Sequence, residues 1–250
     1  MLKKYPKINN LHKLTKEDIE NETIAKLNQY CPECISVVQR VPIEEIIEKE
    51  GICISPQKLS ADKSILGAFV FNKGQVKTFE NGKENYKNYQ AKTIIIDSDI
   101  YDAEEARLRF TEGHELGHYE CQYDLFHVNE NQLSLNLFEE KEEVATLCKR
   151  EAFEVFTTTK CDNFDLKEWQ ANYYSSCILM PKPALMNELK EYIKNYDYLD
   201  NNSKLLDELS ESEFEYLFKK LCNKFDVSKE SMKNRMISLN LCSPRKFLQL

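Results

Sequence analysis

The chain has 250 residues, 42% of them hydrophobic and 30% charged, with a formal net charge of −8. This is an ordinary globular balance with enough apolar side chains for a core, and no apolar run reaches the roughly 18 residues that a membrane span needs. The charge is uneven: residues 218–250 carry a net +6 against −14 on the preceding 217, which argues against global nucleic-acid affinity and leaves a local basic surface near the end.

The opening MLKKYPKINN lacks the apolar stretch of a secretory signal. Thr15 and Asp18 form a helix-capping pair, and Ile19, Ile24 and Leu27 follow at roughly helical spacing. Cys31 and Cys34 make a lone CxxC. No second CxxC follows, so free thiols are preferred to a second zinc site. Nine cysteines, an odd and scattered set with several in apolar stretches (Cys53 in GICIS, Cys177 in SSCILMP), read as buried thiols of a reducing compartment. A cytoplasmic protein is expected. Pro42 suits the first turn of a short helix that Gly51 stops.

From residue 52 to 97 the texture changes to short strands: ICIS, ILGAFVF, QVKTF and TIIID, with turns at Asn72-Lys73-Gly74 and Asn81-Gly82. They predict a small, mostly antiparallel sheet, with the polar ENGKENYKNYQ as an exposed loop. After Asp97 the pattern is helical. Asp102 caps a helix from about 103 to 121, a charged helix falls near 139–156, and a third near 166–180 ends at Pro181. Helices near 183–196, 211–224 and 228–239 follow, with the polar DYLDNNS between the first two. Helices, sheet, then helices describe an α+β chain.

Chemistry concentrates in His114-Glu115-Leu116-Gly117-His118. Residues four apart share a helix face, so His114 and His118 can direct two imidazoles at one metal ion. Glu115 lies beside them, placed to take a proton from a water that zinc activates. The bland alternative is an amphipathic helix with two incidental histidines. Against it, Gly113 and Gly117 sit inside the helix, where each costs about 1 kcal/mol relative to Ala. Two of only six glycines here imply close approach by another segment or a ligand. Zinc needs a third protein ligand. Besides His12 and His127, the candidate is Glu168 in KEWQANYYSSCILMP, with Asn172 one turn on and able to fix the tautomer of a ligand imidazole. Asp165 and Glu168 also match a helix-capping pair, so spacing alone leaves both roles open. Tyr119, His127, Tyr173 and Tyr174 could each polarise a scissile carbonyl, but aromatic residues at helical spacing are usually core.

RFTEGHELGHY followed by EWQANYYSSCILMP resembles the ImmA/IrrE family of metallo-endopeptidases. The likeness runs over about residues 38–245. It takes in PIEEIIEKEGICI, the ILGAFVF and KTIIID strands, both motif helices and a weaker segment at Phe225–Arg235. The resemblance implies His114, His118 and Glu168 as ligands of one zinc ion and Glu115 as general base. It implies a zincin-like metallopeptidase core over 1–182 and a helical C-terminal region over 183–250. It also implies a protein substrate, a helix-turn-helix transcriptional repressor. The chain departs from the pattern at Gln122, where many relatives carry a histidine, at Ser175 in place of Ala, and in the stretch 128–160, which reads as an insertion.

The segment FDVSKESMKNRMISL resembles the turn and second helix of a helix-turn-helix, and Lys229, Lys233 and Arg235 would suit DNA phosphates. The plainer reading is a packing element with a solvated basic face. Direct DNA binding is the secondary expectation and no membrane partner is expected. The rivals to a repressor-cleaving peptidase are a non-catalytic regulator that binds a repressor or DNA through its C-terminal helices, and a general cytoplasmic peptidase. A sheet edge near the metal is expected to take the substrate backbone as an added strand.

Overall fold

A computed structural model describes residues 5–8, 11–101, 105–128, 144–149, 163–193 and 206–247. The class is α+β. In chain order come β1 (Lys7–Ile8), β2 (Leu11–His12), α1 (Lys16–Tyr30), α2 (Ile43–Lys49), β3 (Cys53–Pro56), β4 (Ile65–Val70), β5 (Gly74–Glu80), β6 (Lys83–Tyr89), β7 (Thr93–Ile96), α3 (Ser98–Tyr101) and α4 (Glu105–Phe126). They are followed by β8 (Ala145–Lys149), α5 (Asn163–Leu179), α6 (Lys182–Ile193), α7 (Glu211–Phe225) and α8 (Lys229–Ser238). Among the described residues no helix is long and apolar enough to cross a membrane.

The chain divides into two compact units, Met1–Ile19 with Ile43–Ser175 and Glu20–Pro42 with Ser176–Leu250. The first unit is built on a four-stranded sheet in the order β3-β7-β4-β8. β3 and β7 run parallel, while β4 is antiparallel to β7 on one side and to β8 on the other. The sheet is therefore mixed. Its strands are short apolar runs: Ile94, Ile95 and Ile96 of β7 and Leu66, Ala68, Phe69 and Val70 of β4 are fully buried. Such runs belong to strands covered on both faces.

Two local expectations are corrected. The polar stretch after Asn81 is the strand β6, which forms a separate two-stranded sheet with β5. Asn81 and Gly82 both take positive φ, 51° and 76°, as a tight hairpin turn requires. Ion pairs Lys87–Glu80 and Lys77–Glu84 then cross the ladder. Both faces of β6 are polar, so no alternation betrays it. The charged helix expected near 139–156 is contradicted by β8: Ala145 and Leu147 pack against Leu59, Ala68, Val70, Val76 and Ile95, while Thr146 and Cys148 are buried. The stretch read as an insertion thus supplies a sheet strand. Residues 129–143 and 150–160, the rest of it, lie outside the described residues, as do Asp102 and the linker DYLDNNS.

The cysteine expectation also changes. Cys31 and Cys34 are joined as a disulfide rather than free thiols. Cys53 is exposed, not buried, whereas Cys121, Cys148, Cys177, Cys222 and Cys242 are buried and free.

The second unit gathers the end of α5, α6, α7 and α8 with most of α1. A capping box at Ser210 and Glu213 starts α7, Ser228 caps α8, and Asp226 between them takes the left-handed conformation at φ 55°. Arg235, placed by the sequence on a solvated basic face, points inward instead and is fully buried. It grips Glu20 with two bonds of 2.6 and 2.9 Å and donates to the Met180 carbonyl at 3.0 Å.

Candidate metal centre

Helix α4 carries the centre, and the turn after β4 holds its C-terminal end. At its C-terminus Asn72 donates to the Phe126 carbonyl at 2.7 Å and accepts from the Val128 amide at 2.9 Å. One face of α4 lies so close to α5 that only glycine fits. A Cβ on Gly117 would come 2.8 Å from the Ala171 Cα, and one on Gly113 would come 2.6 Å from Ser175 Oγ. Ser175 in turn donates to the Phe110 carbonyl at 2.8 Å. The two costly glycines therefore bring the second motif helix up against the first, within reach of the histidines.

That approach gathers His114, His118 and Glu168, all buried to 1% exposure or less. His114 Nδ1 faces Asn172 Oδ1 at 2.9 Å, and His118 Nδ1 faces Gln122 Oε1 at 2.8 Å. The Gln122 amide is oriented by its Nε2, which donates to the Lys167 carbonyl at 3.0 Å. A carbonyl oxygen only accepts, so each Nδ1 bears the proton and each neutral ring presents a lone pair at Nε2. Those two Nε2 atoms lie 3.0 Å apart. Glu168 faces the same point, with Oε2 3.3 Å from His114 Nε2 and Oε1 3.4 Å from His118 Nε2.

Two lone pairs and a carboxylate converging without a proton between them call for a cation. Burial, ahead of the opposing pull of Glu168, pushes His118 down to about 4, so a proton is a poor candidate. Burial pushes Glu168 up, but His118 and His114 outweigh it and hold the carboxyl below its usual range. Neither Glu168 oxygen has a hydrogen-bond partner. Ligand atoms about 2.0–2.1 Å from a tetrahedral ion sit about 3.3 Å apart, and the three separations here are 3.0, 3.3 and 3.4 Å. The three residues form a group that could hold a metal ion.

Glu115 lies alongside. Both its carboxylate oxygens are buried and lack hydrogen-bond partners, and burial followed by the charge of Glu168 pushes its carboxyl well above the usual range. Strand β4 covers it: a Cβ on Gly67 would come 2.7 Å from Glu115 Oε1.

The other histidines are elsewhere. His12 pairs with Asp124 at 3.0 Å, and His127 Nδ1 donates to the Phe71 carbonyl at 2.8 Å while its ring stacks on Tyr123. Tyr119 accepts from Lys92 at 3.1 Å, and Tyr173 stacks on Trp169 with ring centres 5.6 Å apart. The Asp165 side chain lies outside the described residues. Sequence reasoning noted Gln122 only as a departure. Its position four residues after His118, on the same helix face, was the available signal that it orients that ring. Cys148, whose sulfur lies with a ring nitrogen of His114 and a carboxylate oxygen of Glu115 inside a 4.8 Å group, was missed because its segment was read as helix.

Neither the protein-family models nor the curated proteins compared with this chain give a match.

Proposed function

We propose that the chain is a zinc-dependent endopeptidase with a zincin-like core, as its likeness to the ImmA/IrrE family implies. The observation that carries the reading is the triangle of His114, His118 and Glu168 beside a buried, unpartnered Glu115. Two imidazoles and one carboxylate are a donor set that suits zinc in catalytic sites. Zinc bound there would polarise a water molecule and the scissile carbonyl. His114 and His118 hold the ion through Nε2, with Asn172 and Gln122 fixing their tautomers. Glu115 accepts the proton of the attacking water and passes it to the leaving amine. The substrate is a helix-turn-helix repressor, bound in extended form along an edge of the sheet near the metal.

The test is Glu115→Gln. Glu115 is not among the three ligand residues, so the variant should keep one zinc per chain by elemental analysis. Cleavage of a helix-turn-helix repressor encoded nearby should fall by about 10²–10⁴-fold. Undiminished cleavage would rule this chemistry out. A second reading, a regulator that binds without cutting and uses the metal structurally, is favoured by one observation: all three ligand residues are shut from solvent. Tight repressor binding with no cleavage at full zinc occupancy, by wild type and Cys148→Ala alike, would select it.

A further inference from the structure

The burial of the centre has a specific cause in the sheet. β4 pairs with β7 along one edge and with β8 along the other. Without β8, β4 would be the free edge directly above Glu115, offering the row of amides and carbonyls to which extended peptides add. β8 already fills that edge, antiparallel, with Gly67 opposite Cys148, Ala68 opposite Leu147 and Phe69 opposite Thr146. Gly67 is also the residue that Glu115 approaches. The register shifts between Ile65 and Gly67, a bulge of the kind that re-aims a neighbouring side chain.

Strand alternation then decides where the sulfur goes. Ala145 and Leu147 face the apolar cluster of the sheet, so Thr146 and Cys148 face the other way, toward α4. The Cys148 sulfur is fully buried and lies within 4.8 Å of both a His114 ring nitrogen and a Glu115 oxygen. Independently, both carboxylate oxygens of Glu115 and of Glu168 are buried without hydrogen-bond partners, and the Cys148 group shares His114 with the group of His118 and Glu168.

We infer that the Cys148 thiolate is the fourth protein ligand of this centre, delivered by β8, which sits where a substrate strand would lie. The inference rests on the metal-centre reading above. On loading, the S–H bond breaks, sulfur donates its electron pair to the ion and the proton leaves to water. A site with four protein ligands is closed, whereas a catalytic site keeps one position open. The chain as folded is therefore a latent form, and hydrolysis requires Cys148 to leave the ion and β8 to leave the edge.

X-ray absorption on the full chain loaded with one zinc tests this without any substrate. One sulfur at about 2.3 Å among nitrogen and oxygen neighbours is expected. Cobalt-loaded protein should show a thiolate charge-transfer band in the near ultraviolet. Cys148→Ser and Cys148→Ala should lose sulfur and band alike while keeping one metal per chain, and repressor cleavage should rise in both. A wild-type spectrum with nitrogen and oxygen neighbours only would overturn the inference and leave the zinc reading standing. Failure of the wild-type chain to bind zinc or cobalt at all would overturn both. If the variants do not fold, the wild-type spectrum alone decides, because Cys31 and Cys34 are joined as a disulfide and offer the ion no thiolate.

Discussion

Glu115 is held in surroundings that oppose its charge, and the consequence is measurable apart from catalysis. Burial, then the negative charge of Glu168, raises its carboxyl well above the ordinary value. A group raised in this way contributes stability while protonated, and that contribution is lost as pH climbs through its folded-state value. Glu115→Gln keeps the shape and cannot ionise. Once both proteins are stripped with a chelator, the variant should melt higher than wild type at alkaline pH. The gap should close as pH falls, and parallel melting curves would contradict the desolvation described. His118 works with the opposite sign. Its folded value lies near 4 against an ordinary 6.5, so its contribution is complete above 6.5 and drains away as pH falls toward 4. This contribution is common to both proteins and cancels in the comparison. Stripping matters because a bound cation would stabilise the Glu115 anion and invert the balance.

Among the elements, the contact between α4 and α5 rests on absent side chains. Gly117→Ala gains about 1 kcal/mol of helix propensity. It also drives a methyl to 2.8 Å from the Ala171 Cα and 2.9 Å from its carbonyl oxygen. These are backbone atoms, which cannot rotate away, and overpacking costs about 1–3 kcal/mol. The clash should win, giving a net loss in chemical denaturation and weaker zinc retention as the helices part. Gly113→Ala should be milder, because its nearest neighbour is the rotatable Ser175 hydroxyl, at 2.6 Å. Equal losses would mean that the helices adjust as rigid bodies. The same contact shows what the sequence disclosed. Costly glycines beside the histidines announced a close neighbour, and Thr15 with Asp18 announced the start of α1, where Asp18 accepts from both the backbone and the hydroxyl of Thr15. Each is a local signal within one turn of chain. β6 and β8 were illegible for the opposite reason. β6 has two polar faces and is specified by its turn and its ladder with β5. β8 is defined by pairing with β4, nearly 80 residues away in sequence, and nothing in its own five residues encodes that distance. The parallel pairing of β3 with β7 was hidden in the same way.

At the scale of the molecule, the second unit is assembled from two separated stretches, Glu20–Pro42 and Ser176–Leu250. Within that unit the Arg235 guanidinium joins α8 to Glu20 of α1 and to the Met180 carbonyl at the end of α5. Breaking a buried pair by removing one partner leaves an uncompensated charge and costs about 3–5 kcal/mol. Arg235→Ala should lower stability by that amount in urea, whereas the double change with Glu20→Met should recover much of it. A loss of only a few tenths would mean that Arg235 serves a surface role after all.

The chain has a single tryptophan. Trp169 follows Glu168 directly and stacks on Tyr173 with an interplanar angle of 11°. Its emission therefore comes from one place, on the helix that carries Glu168 and next to that residue in the chain. The natural protein thus carries its own optical gauge of occupancy. Titrating an ion into stripped protein can be followed by intrinsic fluorescence to a one-to-one end point, with no label introduced and no cleavage assay needed.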